Sequence, residues 1–309
     1  MTTITRRDLF IASLASSSLF AKTNKIGRSR FSAITDEIAK SPAEAIAFAK
    51  KYGLQWLELR NVPGGKTVYN ELPEAEVKAA AKEFQEAGIK ISFMNTGMLK
   101  FGLPGTEPKR SRQETPENKA KRMASEQKRF AGHMDELDRA IRASHILGAT
   151  KIRVFAFSRV EEPEKLFPRI ADILGEMSKV CEREKVQLLI ENEASCNVGT
   201  SAELAAILKM VPSKAFGMNW DPHNAVALKE SVFPEGYSLL PKKRIWNVQV
   251  KGRTVLDYKD KMDWAAMFKA LEKDGYQGQI GLETHIFGAE QVQRSHESMV
   301  AMLKLVGES

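Results

Sequence analysis

Short apolar runs alternate with longer segments of helical period along the chain from Arg28 onward. The runs are rich in β-branched and aromatic residues, which is typical of buried strands, whereas the segments between them repeat apolar positions as amphipathic helices do. Strands are predicted at residues 31–35, 56–60, 89–95, 151–157, 186–191, 216–221, 245–250 and 279–283. Strand and helix therefore alternate eight times, which favours parallel βαβ units.

Helix ends carry local signals in the sequence. Ser41 and Glu44 form a predicted capping box, and Gly53 is a typical helix stop. Thr200 and Glu203 form a second capping box, which opens a helix that ends before residue 212. Further helices are predicted at residues 74–87, in a long segment ending near 148, at 163–184, at 263–274 and after 288.

This array predicts an α/β protein, a single (β/α)8 TIM barrel over residues 28–309 preceded by an export signal. The alternative is an open doubly wound sheet, which would need a glycine-rich phosphate loop after the first strand. Asp36, Glu37 and Ile38 occupy that place instead. Because barrel enzymes gather their active-site groups at the carboxyl ends of the strands, functional side chains are expected there.

The first 27 residues are predicted to be a targeting segment. Arg6 and Arg7 precede an apolar run from Leu9 to Ala21 that is too short to span a bilayer. The run resembles a twin-arginine export signal, which implies a periplasmic protein; a disordered basic tail or a membrane anchor is the alternative.

Composition is that of a soluble globular protein, with 43% hydrophobic and 28% charged residues among 309. The net charge of +8 raises the question of nucleic-acid or membrane binding. Much of the excess lies in residues 109–129, where no aromatic residue is interleaved for base stacking. We therefore expect no nucleic-acid partner, and no membrane contact once the signal is removed. Two cysteines, Cys181 and Cys196, exclude a disulfide framework and a cysteine zinc site.

Acidic residues end three of the predicted strands. Glu191, Asp221 and Glu283 follow apolar runs at the fifth, sixth and eighth strands, and Gln249 and Lys251 share one face of the seventh. Three carboxylates at one barrel mouth repel one another unless a cation lies among them, and an oxygen-rich set suits Mn²⁺ or Mg²⁺. The alternative is that each acid only caps the helix that follows it.

These strand-end motifs together resemble the xylose isomerase-like sugar phosphate isomerase and epimerase barrels. The resemblance implies one divalent metal ion, held in this chain by Glu191, Asp221, Gln249 and Glu283. Mn²⁺ is the favoured ion, with Co²⁺, Mg²⁺ and Zn²⁺ as alternatives. The family has histidine where this chain has Gln249, and a neutral amide oxygen is a poorer ligand for transition metals than imidazole.

The resemblance further implies that a proton is removed from a carbon next to a carbonyl, through an enediolate, on a small carbohydrate. Glu191 and Glu283 are the predicted acid and base, and Lys251 is the predicted stabiliser of the intermediate. Substrate contacts are predicted for Glu58, Arg153, Trp220, His223 and Asn224. The ordinary alternatives are a rim lysine for Lys251, a loop histidine for His223 and a core aromatic for Trp220.

Two other functions stay open at this stage. A lyase or dehydratase on an oxidised, 3-keto sugar or glycoside would use the same enediolate, and a periplasmic carbohydrate-binding barrel would use none. The DNA-repair branch of the family is set aside, because it needs a histidine-rich zinc site and this chain has five histidines, three of them in helical segments. The sequence is also compatible with a homo-oligomer.

Overall fold

Eight parallel strands form one nearly closed sheet in the computed structural model, which describes residues 25–109, 113–256 and 258–309. The strands are β1 (Phe31–Ala33), β2 (Trp56–Leu59), β3 (Lys90–Met94), β4 (Lys151–Val154), β5 (Gln187–Glu191), β6 (Phe216–Trp220), β7 (Ile245–Lys251) and β8 (Gln279–Glu283). Their order is sequential, with β1 paired to β8. A parallel bridge between Ile34 and Glu58 joins the β1 and β2 sides of the ring. The predicted TIM barrel is confirmed.

Helices follow the strands and surround the sheet. The longer ones are α1 (Pro42–Tyr52), α2 (Glu74–Glu86), α3 (Pro116–Ala131), α4 (His133–Leu147), α5 (Phe167–Arg183), α6 (Ser201–Met210), α7 (Trp264–Lys273) and α8 (Gln291–Leu305). Short helical turns lie at Arg28–Arg30, Thr35–Ile38, Tyr69–Glu71, Pro163–Leu166, Pro222–Val226, Val232–Gly236, Tyr237–Leu239, Lys242–Arg244 and Gly252–Val255.

The capping box at Thr200 and Glu203 is confirmed in full, and the one at Ser41 and Glu44 in part, because the Glu44 carboxylate accepts from the Lys40 N–H and not from that of Ser41. The Ser41 hydroxyl accepts a hydrogen bond from the Glu44 backbone N–H at 3.3 Å, and Gly53 ends α1 in the left-handed region with a φ of 63°. At α6, Thr200 and Glu203 satisfy each other's backbone N–H groups in a complete capping box. These local hydrogen bonds fix where the two helices begin and therefore where β2 and β6 enter the barrel.

Three predicted elements differ clearly from the structure, whereas most other boundaries agree to within about a residue. The first strand ends at Ala33, because Thr35 already begins a helical turn. The fourth ends at Val154, since the N–H groups of Phe155 and Phe157 donate to carbonyls of residues 98 and 99 in a loop. The long segment before residue 148 is two helices, α3 and α4, that meet at Gly132.

The apolar core lies between the sheet and the helices, whereas much of the barrel interior is polar. Ser32, Glu58, Asn219, Asn247 and Gln249 are all fully buried and hydrogen-bond to one another across the barrel. Such an interior is held by specific hydrogen bonds rather than by apolar packing. This polar layer lies below the residues at the carboxyl end of the barrel.

No described helix is long and apolar enough to cross a membrane. The predicted export signal, apart from residues 25–27, lies outside the described residues.

Candidate active site

Three acidic side chains converge at the carboxyl end of the barrel, as predicted. Glu191 is the last residue of β5, Asp221 follows β6, and Glu283 is the last residue of β8. Each offers a carboxylate oxygen, and these oxygens all lie within 4.8 Å of one another. All three side chains are buried, so their charges interact strongly and need nearby cations.

Lys251 supplies one such cation from the end of β7. Its Nζ lies 2.7 Å from Asp221 Oδ2 and 2.6 Å from Glu283 Oε2. The lysine is 3% exposed, so this is a buried ion pair and not a solvated lysine at the rim. The rim alternative for Lys251 is therefore set aside.

One oxygen of Glu191 and the second oxygen of Asp221 have partners of their own. Arg153 Nη1 lies 3.0 Å from Glu191 Oε2, which also accepts from Asn219. Asp221 Oδ1 accepts from the Asn224 N–H at 3.1 Å and caps the turn Pro222–Val226. The capping alternative thus holds for one oxygen of Asp221, while its other oxygen faces Lys251.

Glu283 belongs to a second group of charges on the β1 side of the mouth. Its Oε1 lies 3.4 Å from Arg60 Nη1 and 3.6 Å from His285 Nδ1. Arg60 also pairs with Asp36 and Glu37, at 3.0 and 2.9 Å. Glu37, Glu283 and His285 form a further set whose ligand atoms lie within 4.8 Å of one another.

Asn192 fixes the position of Asp221 through the backbone. Its Oδ1 accepts from the Asp221 N–H at 2.9 Å, and its Nδ2 donates to the Asp221 carbonyl at 2.7 Å. Asn224 in turn donates to the Asn192 carbonyl at 2.9 Å. The loops after β5 and β6 are therefore held together next to Asp221.

The surroundings separate the pKa values of the acids. Burial raises the pKa of Glu191 and that of Asp221, and Arg153 and Lys251 respectively offset only part of this effect. Burial also acts to raise the pKa of Glu283, but Lys251, His285, Arg60 and Arg153 together outweigh it, so this pKa lies well below its ordinary range. Burial tends to lower the pKa of Lys251, and Asp221 and Glu283 reverse that and raise it. One acid is thus held ionised while another is biased toward protonation.

Gln249 contacts Glu58, in the layer below Lys251. Its Nε2 donates to Glu58 Oε2 at 2.7 Å, and Glu58 also accepts from Ser32 at 2.7 Å and Asn95 at 2.9 Å. Gln249 Oε1 is buried without a hydrogen-bond partner among the described residues. Burial raises the pKa of Glu58, and its hydrogen bonds join β2 to β1, to β7 and to the residue that follows β3.

The three carboxylates fit a divalent ion by chemistry and spacing. The Gln249 amide fits less well, because its nitrogen is committed to Glu58 and only its unpartnered oxygen is left for a ligand. The predicted ligand set is therefore brought together for Glu191, Asp221 and Glu283, whereas Gln249 belongs first to the barrel interior.

The other residues predicted to contact the substrate also contact residues of the protein itself. Arg153 is buried, and its Nε donates to the Thr96 carbonyl at 3.0 Å. Trp220 is fully buried and packs on Tyr237, with ring centroids 5.3 Å apart, so it lies in the core layer. His223 Nε2 lies 2.9 Å from Asp260 Oδ2 at the partly exposed rim, and burial lowers the pKa of this histidine.

The cysteines take no part in the site. Cys181 and Cys196 are both buried and unpaired, and burial raises the pKa of each thiol to about 12. Neither is a thiolate near neutral pH, which excludes both as nucleophiles.

Sequence reasoning missed Asn192, Asn219, Glu37 and Asp260 as parts of this site. Asn219 was within reach of the sequence pattern, because it lies two residues before Asp221 and so shares its strand face. Asp260 carried no such signal, since it lies in a loop and meets His223 only through the fold.

A nearly closed ring of parallel strands with buried acids at its carboxyl end defines a TIM barrel of the enzyme type. A family model, described as the xylose isomerase-like TIM barrel, matches residues 46–304. The chain therefore belongs to this family, as the motifs indicated. A search of curated protein sequences returned no match.

Solved structures share the fold at low identity. One is a crystal structure of the IOLI protein with a binding zinc atom, at 17% identity and a TM-score of 0.63, with 89% of this chain and 96% of that chain covered. A 3-keto-D-glucoside 4-epimerase from E. coli shows 16% identity and a TM-score of 0.63, with coverages of 89% and 99%. The probable 3-DHS dehydratase of petrobactin synthesis from Bacillus anthracis shows 12% and 0.65, with coverages of 88% and 98%.

Proposed function

We propose that this chain is a sugar isomerase or epimerase that removes a proton from a carbon next to a carbonyl and passes through an enediolate. The observation that carries the proposal is the buried cluster of Glu191, Asp221 and Glu283 around Lys251 at the barrel mouth. Family membership supports it. So does the occurrence of an epimerase and a probable dehydratase among the structural neighbours.

Glu191 and Glu283 are the proposed acid and base. Glu283 stays ionised beside Lys251, whereas the raised pKa of Glu191 makes it the stronger base when ionised and a competent proton carrier when protonated. A sugar bound between them can lose a proton to one and regain it from the other. Asn192 and Arg153 keep the acids in place, and the Lys251 ammonium donates to the developing oxyanion.

A divalent ion is part of the proposal, with Glu191, Asp221 and Glu283 as its ligands. When bound, it would polarise the carbonyl and hydroxyl oxygens of the substrate, which lowers the barrier to enediolate formation. Mn²⁺ stays our prediction for the native ion, and a zinc-bound structural neighbour shows that the fold itself accommodates a metal. Metal analysis of the protein after equilibration with a mixture of Mn²⁺, Co²⁺, Mg²⁺ and Zn²⁺ checks which ion is preferred.

Deuterium exchange tests the reaction. The protein is incubated in D₂O with ketoses and 3-keto-glycosides, with and without Mn²⁺, and the protons next to the carbonyl are followed by NMR. We expect deuterium to enter that position, and we expect Glu191→Gln and Glu283→Gln to slow its entry by at least about 100-fold. Glu176→Gln, on the exposed face of α5, is the matched control and should exchange normally.

The same samples separate the alternatives. Loss of water or of a glycosidic leaving group, seen as an unsaturated carbonyl in the spectrum, would assign the protein to the lyases or dehydratases, which share the proton-abstraction step. Saturable sugar binding with no exchange under any condition would contradict the enzyme proposal and favour a carbohydrate-binding barrel.

We further propose that the protein acts in the periplasm, where free or oligomeric carbohydrate is the accessible substrate. Arg6 and Arg7 of the predicted signal support this location. Cell fractionation after Arg6→Lys and Arg7→Lys substitution checks it, since a twin-arginine signal should lose export and leave the protein in the cytoplasm.

A further inference from the structure

Lys251 contacts one carboxylate oxygen of Asp221 and one of Glu283, and each of these oxygens lacks another partner among the described residues. Asp221 Oδ1 already accepts from the Asn224 N–H, and Glu283 Oε1 faces Arg60 and His285. Asp221 Oδ2 and Glu283 Oε2 remain, and the Lys251 ammonium lies 2.7 and 2.6 Å from them. These two oxygens have no other partner among the described residues, so another cation entering this side of the cluster would bind them in preference to the other two.

In a buried site, an ammonium and a divalent ion that contact the same carboxylate oxygen repel each other strongly. Bonds from a small divalent ion to carboxylate oxygen are about 2.1 Å long, and the Nζ lies 2.7 Å from Asp221 Oδ2. The two cations would therefore lie within about 5 Å of each other, and burial strengthens their repulsion. Lys251 is 3% exposed and Asp221 is fully buried, so water does not screen them.

We propose that the Lys251 ammonium and a divalent ion bind the same oxygens of Asp221 and Glu283, so that only one of the two cations is bound there at a time. Lys251 is the resident cation of the ligand-free protein and keeps its affinity for divalent ions low. Entry of an ion displaces the ammonium from these oxygens and makes it available to a substrate oxygen. The inference rests on the proposed function, because it takes this cluster as the active site, but it needs no turnover to be tested.

Metal titration of Lys251 variants is the test. Mn²⁺ is titrated into the substrate-free full chain by calorimetry, and the melting temperature is measured across the same concentrations. We expect Lys251→Met to bind one Mn²⁺ at least about tenfold more tightly than the wild type, because two buried carboxylates lose their competitor. We expect the ion to raise the melting temperature of this variant more than that of the wild type.

Two further variants control for charge and size. Lys251→Arg keeps the cation and should bind Mn²⁺ as weakly as the wild type. Lys100→Met removes a lysine that pairs with Glu193 at 2.7 Å, so it changes the net charge equally and should leave Mn²⁺ affinity unchanged. Equal affinity in wild type and Lys251→Met, or weaker affinity in Lys251→Met, would overturn the inference.

A measurement on the wild type covers the case in which Lys251→Met fails to fold. The side-chain ammonium of a buried, ion-paired lysine exchanges its protons slowly enough for ¹H–¹⁵N correlation spectra, and we expect saturating Mg²⁺ to abolish the signal of Lys251. A signal that persists unchanged while Mg²⁺ binds the acid cluster would contradict alternative occupancy. Failure of deuterium exchange with sugars would contradict the proposed function. The results of the metal titration and of the Mg²⁺ experiment would not depend on it.

Discussion

Asn192 shows how a single neutral residue can set the geometry of a charged site. It satisfies both the N–H and the carbonyl of Asp221, at 2.9 and 2.7 Å, and is fully buried. Removing both hydrogen-bonding groups would leave two buried backbone groups without partners, which is the costly case for a hydrogen bond.

We therefore expect Asn192→Leu to destabilise the fold by about 2–4 kcal/mol and to slow deuterium exchange, although no proposed acid or base is changed. Urea unfolding gives the stability, and the NMR exchange assay gives the rate. Asn118→Leu, on the exposed face of α3, is the control and should change stability by less than about 0.5 kcal/mol. Unaltered unfolding of Asn192→Leu would show that Asp221 is held by other contacts.

The acids of the site follow from the sequence, whereas their partners do not. A strand that ends in Glu or Asp indicates a side chain at the mouth, because the period-two alternation of a strand is local. The pairing of Lys251 with Asp221 and Glu283 depends on three neighbouring strands and their register. That information is tertiary, and so is the contact that commits Gln249 to Glu58.

At the level of elements, β8 passes close to the buried network through Gly281. A Cβ at this position would overlap the Glu58 carboxylate and approach Gln249 Oε1 to 2.9 Å. Glycine is therefore required here by space and not by backbone conformation. Because Gly281 has no side chain, the Glu58 carboxylate of β2 can lie against β8 at this position.

We expect Gly281→Ala to push Glu58 and Gln249 out of place, at a cost in stability of about 1–3 kcal/mol. We also expect it to lower activity in the exchange assay. Gly175→Ala, in the middle of α5, is the opposite control, because a Cβ there meets nothing within 4 Å. It should raise stability by about 0.5–1 kcal/mol, and denaturant unfolding compares the two. A Gly281→Ala protein as stable as the wild type would show that the network can shift without cost.

Helix starts were predictable because their signals are confined to a few neighbouring residues. Thr200 and Glu203 satisfy each other's backbone across one turn, so no distant contact is needed. The end of β4 was not predictable. Phe155 and Phe157 have strand-like side chains, yet their N–H groups donate to the carbonyls of Met98 and Leu99, and such long-range hydrogen bonds have no local signature.

Over the whole molecule, ionisable side chains lie at three levels along the barrel axis. The acid cluster lies at the carboxyl end, Glu58 lies below it, and Lys151 lies at the opposite end as the first residue of β4. Lys151 Nζ donates to the Trp246 carbonyl at 2.9 Å and to Gln279 Oε1 at 2.6 Å. It lines a cavity of about 380 Å³ at the amino-terminal end of the strands.

The Lys151 ammonium should make folding stability depend on pH above neutrality. Burial lowers its pKa to about 8 from 10.5, so between these two values the unfolded chain binds more protons than the folded chain, and stability due to this group rises with pH. Relative to Lys151→Met, the wild type should gain about 1–2 kcal/mol between pH 8 and pH 10, measured by urea unfolding at each pH. Lys90→Met, which removes an exposed lysine from the start of β3, is the matched control for the loss of charge. A constant difference between the wild type and Lys151→Met would mean that Lys151 keeps its proton throughout, and that the carbonyls of β7 and β8 stabilise its charge as well as water does.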